Sequence, residues 1–178
     1  MSVFSLLERG AQRCDGRPFA VFDGVETSYT EALSLAKRIA TALGSAGFGL
    51  GDHAAVLSPN DPVAFTTAFG IFGADMAYVP ANPHNPPAAI ASALNLVDVH
   101  VLFYHSAMAA VVDEIRDSLP KVALFVALGT PCGGDPTLEQ FIAGHDAQPP
   151  RGLTTLTDTA FVGQTGGTTG EPKGVLLS

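Results

Sequence analysis

Near its carboxyl end the chain reads Gln164-Thr165-Gly166-Gly167-Thr168-Thr169-Gly170-Glu171-Pro172-Lys173-Gly174, which gathers the residue types that hold a polyphosphate. Glycine reaches positive φ and has no Cβ, so consecutive backbone N–H groups can converge on one anion. Thr165, Thr168 and Thr169 add hydroxyl donors, and Lys173 adds a compact positive charge on a flexible stem. Pro172 stiffens the exit. The apolar residues 159–162 just before it read as a buried strand that delivers the chain into the loop. A plain surface turn would also use glycines, but it has no need of the threonines or of a Pro-Lys-Gly ending. Two named phosphate motifs do not fit. A Walker A loop ends Gly-Lys-Ser/Thr, whereas Lys173 lies between Pro172 and Gly174. A dinucleotide fingerprint opens a helix and needs an acid about 20 residues further on, and the chain reaches Ser178 before that position.

The elements that must position this loop alternate along the chain. Residues 3–12 have the spacing of a short amphipathic helix, and 19–22 with 25–29 read as a hairpin about Asp23-Gly24, a pair suited to a tight turn. Thr30 is expected to cap the next helix, with Glu31 in its first turn. Leu33, Ala36, Lys37, Ala40, Leu43 and Gly44 form that helix's stripe, and its end comes near Gly47. A turn from Gly49 leads to a strand ending at Leu57, and Pro62 opens a helix to about Gly73. Strands are expected at 76–79, 99–104 and 122–128, helices at 87–96, 107–119 and 138–143, and loops at 82–87 and 129–137. A linker over 148–152 feeds the last strand. Continuous apolar strands separated by helices imply an α/β fold, a mostly parallel sheet with helices on both faces and right-handed crossovers.

Composition limits the partners. The 178 residues are 47% hydrophobic and 15% charged, enough for one domain with a core. A net charge of −8, with the nine lysines and arginines scattered, argues against nucleic acid or an anionic membrane. Cys14 and Cys132 form no CxxC pair, which suits reduced thiols and a cytoplasmic setting. The amino terminus has too short an apolar run for a signal peptide. Residues 62–81 approach the length of a membrane span, but Gly70, Gly73, Asp75 and Pro80 interrupt them, so they read as core rather than as a transmembrane segment. The histidines His53, His84, His100, His105 and His145 lack zinc-site spacing, so no metal ligands are assigned. Ser58 and Ser106 have no nucleophile-elbow context, and Asp113 and Glu114 belong to a solvent-facing helix, so no catalytic residue is assigned.

The loop resembles the phosphate-binding signature of the adenylate-forming enzymes: acyl-CoA synthetases, luciferases and the adenylation domains of peptide synthetases. Against the family pattern Thr-Ser-Gly-Thr-Thr-Gly-x-Pro-Lys-Gly-Val, this chain has Thr165-Gly166-Gly167-Thr168-Thr169-Gly170-Glu171-Pro172-Lys173-Gly174-Val175. It departs at Gly166, where the family has serine, and at Gln164, where an aromatic residue is common. Upstream, Tyr29-Thr30-Glu31-Ala32-Leu33, Gly49 to Asn60, and Gly73-Ala74 with Tyr78 to Pro83 are similar to the amino-terminal march of an acyl-CoA synthetase.

The resemblance implies that residues 1–178 are part of the AMP-binding domain of a larger acid-thiol ligase of the fatty-acid-CoA ligase type. Its expected reaction is ATP-dependent adenylation of a carboxylic acid, a fatty acid foremost, then thioester formation with CoA. Thr165, Gly166, Gly167, Thr168, Thr169, Gly170 and Lys173 would bind the nucleotide phosphates. The Mg²⁺ ligand, the ribose contact and the small carboxyl-terminal domain are expected downstream, so the 178 residues alone should be inactive and prone to self-association. The alternatives are a fragment of an aryl- or amino-acid-adenylating enzyme and a non-catalytic interaction module on the same scaffold.

Overall fold

The structure, a computed structural model, describes residues 2–14, 16–131, 133–165 and 173–178. Chain order gives α1 (Phe4–Arg13), β1 (Pro18–Phe22), β2 (Val25–Ser28), α2 (Tyr29–Ser45), β3 (His53–Leu57), α3 (Pro62–Gly73), β4 (Ala77–Ala81) and α4 (Pro87–Leu96). There follow β5 (Val99–His105), α5 (Ala109–Ile115), β6 (Leu124–Leu128), α6 (Leu138–Phe141), β7 (Phe161–Thr165) and β8 (Lys173–Leu177). A six-stranded sheet runs β6-β5-β3-β4-β7-β8, and β1-β2 form a separate two-stranded hairpin. All pairings in the large sheet are parallel except β7 with β8. The expected α/β fold with a mostly parallel sheet is therefore what forms.

Period-2 alternation along the strands divides the core. Ala55, Leu57, Val79, Leu102 and Tyr104 face α4 and α5 through Ile90, Leu94, Val112 and Ile115. Ala54, Val56, Val101, Phe103 and Val126 face the other way, onto Ile39 and Leu43 of α2, Ile71 of α3 and Leu138 of α6. A third cluster joins Phe4 and Leu7 of α1 to Ala32 and Ala36 of α2, with Phe19 of the hairpin packed against it.

Several local expectations are corrected. The cap of α2 is Ser28 rather than Thr30: the Glu31 amide donates to Ser28 Oγ at 3.2 Å, and the Ser28 amide donates to Glu31 Oε2 at 2.8 Å. This reciprocal box satisfies two helix-end groups at once, so the helix starts one residue before Thr30. Those bonds from the Ser28 side chain and backbone hold the Glu31 carboxyl below its usual range. The helix expected over 107–119 is α5 flanked by 3₁₀ turns at Ser106–Met108 and Arg116–Ser118. The His105 side chain accepts the Ala107 amide at 3.1 Å and starts the first turn. The hairpin turn forms as expected, with Asp23 at φ 49° and Gly24 at φ 77°.

The strand after the loop, β8, is an element that the sequence pattern does not predict. It lies antiparallel on β7 and leaves Val175, Leu176 and Leu177 exposed at the sheet edge. An exposed apolar strand gives no period-2 alternation with polar residues, so Gly174-Val175-Leu176-Leu177 carries no strand signal of its own.

β6 and β7 lie on opposite sides of β5, β3 and β4, so residues 129–160 cross the whole sheet. Side chains pin this crossing to the helices. Arg38 of α2 donates to the carbonyls of His145 and Ile142 at 3.1 Å each. Asp75, in the turn between α3 and β4, accepts from Leu153 and Thr154. At the start of the crossing, Asp135 takes the Tyr104 hydroxyl at 2.7 Å and both Arg116 nitrogens, and Arg116 also lies 4.0 Å over the Phe125 ring. The Asp135 carboxylate beside it raises the Arg116 pKa further.

Candidate functional site

The loop-bearing segment is built from β7 and β8. Their antiparallel register runs Phe161↔Leu177, Val162↔Leu176, Gly163↔Val175, Gln164↔Gly174 and Thr165↔Lys173. The backbones of Thr165 and Lys173 therefore stand opposite each other where the loop leaves and returns. Gly166, Gly167, Thr168, Thr169 and Gly170 lie outside the described residues, as do the side chains of Thr165 and Lys173. Near the base of the ribbon Val162 is fully buried, and the Phe161 ring meets Tyr78 edge-on at 5.8 Å.

Because β3, β4 and β7 are parallel, their carboxyl ends open on one edge of the sheet. α3, which follows β3, packs on one face of the sheet, whereas α4, which follows β4, packs on the other. The carboxyl ends of β3 and β4 are left open between them, and ligands of open α/β sheets bind outside the carboxyl ends of the strands. A crevice of about 420 Å³ lies there, lined by Ser58, Asn60, Asp61, Phe65 and Tyr78 together with Ala20–Phe22 of the hairpin.

Two polar side chains of this crevice, Ser58 and Asp61, are already committed. Ser58 donates its hydroxyl to the Pro59 carbonyl at 2.8 Å. Asp61 caps α3, accepting the Val63 and Ala64 amides at 2.7 and 3.1 Å. Tyr78 is half-buried, and among the described residues its hydroxyl has no hydrogen-bond partner. Burial raises its pKa, so the phenol is a neutral donor at physiological pH. Sequence reading placed Tyr78 in scaffold only; its strand position next to the loop-bearing β7 is what brings it to the site.

The remaining candidates sit elsewhere. β3–β5 pairing brings His53 and His100 together at the amino edge of the sheet, a proximity their spacing conceals. His100 Nδ1 accepts the His53 amide at 3.2 Å and lies 3.4 Å from Asp52 Oδ1. Among the described residues no group of three or more His, Cys, Asp or Glu side chains is placed to hold a metal ion. Asp113 is exposed and 3.9 Å from Arg116, on the far side of the sheet from β7. No helix among the described residues is long and apolar enough to cross a membrane.

Residues 7–178 match the family of AMP-binding enzymes. The chain belongs to that family. A long-chain-fatty-acid–CoA ligase of Thermus thermophilus is 31% identical over 154 residues, covering 85% of this chain and 28% of that ligase. The anthranilate CoA ligase AuaEII, solved with anthranoyl-AMP, superposes with a TM-score of 0.90 at 22% identity, over 99% of this chain and 34% of its own. The N-terminal domain of FACL13 from Mycobacterium tuberculosis superposes with a TM-score of 0.83 at 25% identity, over 99% of this chain and 44% of that one. The chain thus spans between a quarter and a half of each of these three proteins, and it has the fold of the N-terminal part of adenylate-forming enzymes.

Proposed function

We propose that this chain is the phosphate-holding part of an ATP-dependent acyl-CoA synthetase, an acid-thiol ligase acting on a fatty acid in the cytoplasm. Residues 1–178 make up part of its amino-terminal, AMP-binding domain. The observation that carries the reading is the Thr165↔Lys173 pairing, which gathers both ends of a Gly/Thr loop at the carboxyl edge of a parallel sheet. The family membership and the Thermus thermophilus ligase support the reaction class.

In that reaction a carboxylate oxygen attacks the α-phosphorus of ATP in line, and pyrophosphate leaves with the electron pair of the α–β bridging bond. The CoA thiol then attacks the acyl carbonyl and AMP leaves. Thr165, Gly166, Gly167, Thr168, Thr169, Gly170 and Lys173 hold the β- and γ-phosphates. They supply donors and one positive charge where negative charge develops on the departing pyrophosphate, an effect of position and electrostatics. The Mg²⁺ that accompanies ATP would be held by a ligand in another part of the parent enzyme, as the resemblance implies.

ATP–pyrophosphate exchange tests the reading. With a panel of fatty, aryl and amino acids, the parent enzyme is expected to exchange fastest with a fatty acid, and the 178-residue chain alone is expected to show no exchange above a Lys173→Ala control. Exchange by the parent with none of these acids contradicts the reading. A second expectation concerns surface. Leu153, Leu156, Val175, Leu176 and Leu177 are exposed, and β8 offers an apolar edge strand. Edges of this kind pair with other chains. Sedimentation velocity of the isolated chain should show association that grows with concentration; a single monomer boundary at millimolar protein contradicts it.

A further inference from the structure

The ribbon of β7 and β8 is attached to the rest of the sheet by a short ladder. Only Tyr78↔Phe161 is in register between β4 and β7, with the Tyr78 amide donating to Ala160 at 2.9 Å. The reason is local. Along a strand alternate N–H groups point to the same neighbour, so Pro80 occupies the next position that would donate to β7, and proline has no N–H. The ladder stops there, and other contacts must set where the ribbon stands.

Asp75 supplies one. Its carboxylate accepts from the Leu153 amide at 3.1 Å, the Thr154 amide at 3.2 Å and the Thr154 hydroxyl at 3.1 Å. The residue is 4% exposed and has φ 60°. Glycine meets a positive φ at the least steric cost, so the turn between α3 and β4 does not itself call for an acid. A carboxylate this deep needs donors, and all three of those named come from the segment that enters β7. We propose that Asp75 is a positioning residue for the β7–β8 ribbon and, on the polyphosphate reading given above, for the loop 166–172 that the ribbon carries. Val162 in the core and Phe161 on Tyr78 keep the ribbon folded when the clasp is cut; the clasp fixes its placement.

Amide hydrogen exchange on the full 178-residue chain tests this, comparing wild type with Asp75→Gly, Asp75→Asn and the control Asp23→Gly. Asp75→Gly removes the carboxylate while easing the backbone, so a loss cannot be put down to strain. Its amides at Leu153 and Thr154 and in β7 and β8 are expected to exchange about tenfold faster, with those of β3 and β5 unchanged within about twofold. Asp75→Asn, which keeps one accepting oxygen, should show a smaller effect. Asp23→Gly, at an exposed positive-φ position in the hairpin turn, should show none. Ribbon amides that stay within about twofold in Asp75→Gly, or that speed up together with those of β5, overturn the proposal.

Pyrophosphate titration separates the two links. Wild-type binding that weakens about tenfold in Asp75→Gly supports positioning of the loop. Equal binding by both overturns that link. No binding by the wild type overturns the polyphosphate reading, and the exchange result alone then decides the role of Asp75 in the ribbon.

Discussion

Gly70→Ala is expected to destabilise the chain by about 1–3 kcal/mol, although alanine is the better helix former by about 1 kcal/mol. A Cβ at Gly70 would stand 2.6 Å from Ile39 Cβ and Cγ2 and 3.2 Å from the Ala36 carbonyl. The first two belong to a branched side chain fully buried in the core, and the third is helix backbone. None can move without opening the crossing of α2 and α3. Gly73 repeats the pattern one turn on, where a Cβ would meet the Phe4 ring at 2.8 Å and Ala40 Cβ at 3.1 Å. The close approach of these helices thus depends on Ala36, Ala40, Gly70 and Gly73 being small. Gly70→Val should cost more than Gly70→Ala. Urea unfolding followed by circular dichroism gives the order; an alanine variant as stable as wild type would mean that the helices separate at little cost.

The second large effect is at the loop. Lys173→Ala should lower pyrophosphate affinity by more than about tenfold, because a charge-assisted hydrogen bond contributes about 1.5–3 kcal/mol. Ordering a glycine-rich loop costs about 1–2 kcal/mol per residue, which offsets most of what its backbone donors provide. Binding is then weak, about millimolar, and the one lysine of the loop decides it. A Lys173→Ala chain that binds pyrophosphate as wild type does would remove the loop from the site. Isothermal titration at low salt is the measurement, since salt screens the attraction between a lysine and a phosphate.

Much of this architecture is legible in the residues, for identifiable reasons. Pro62 and Pro87 stand at the first helical position, where proline needs no amide partner, and both helices start there. Asp23-Gly24 sets the hairpin because both residues accept positive φ. The capping box is equally legible as Ser28-x-x-Glu31, and it prevails over Thr30 because it satisfies two helix-end amides at once. What could not be read depends on distant partners. β8 exists as a strand because β7 is beside it, and His53 meets His100 only through strand register. Asp75 acts on residues 153–154, a link that local pattern does not carry. The assignment of the Gly/Thr segment to phosphate rests on residue types alone, and the structure adds the place where the backbones of Thr165 and Lys173 stand.

The central claim is that this chain holds polyphosphate rather than adenosine, through the loop between Thr165 and Lys173. Amide NMR titration with ATP, AMP and pyrophosphate tests it most directly. Pyrophosphate and ATP are expected to bind comparably, with affinities of about millimolar, and to shift the amides of β7 and β8 next to the loop, while AMP at the same concentration shifts none of them. Micromolar ATP affinity, or a preference for AMP over pyrophosphate, would place an adenosine pocket within these residues and contradict the assignment.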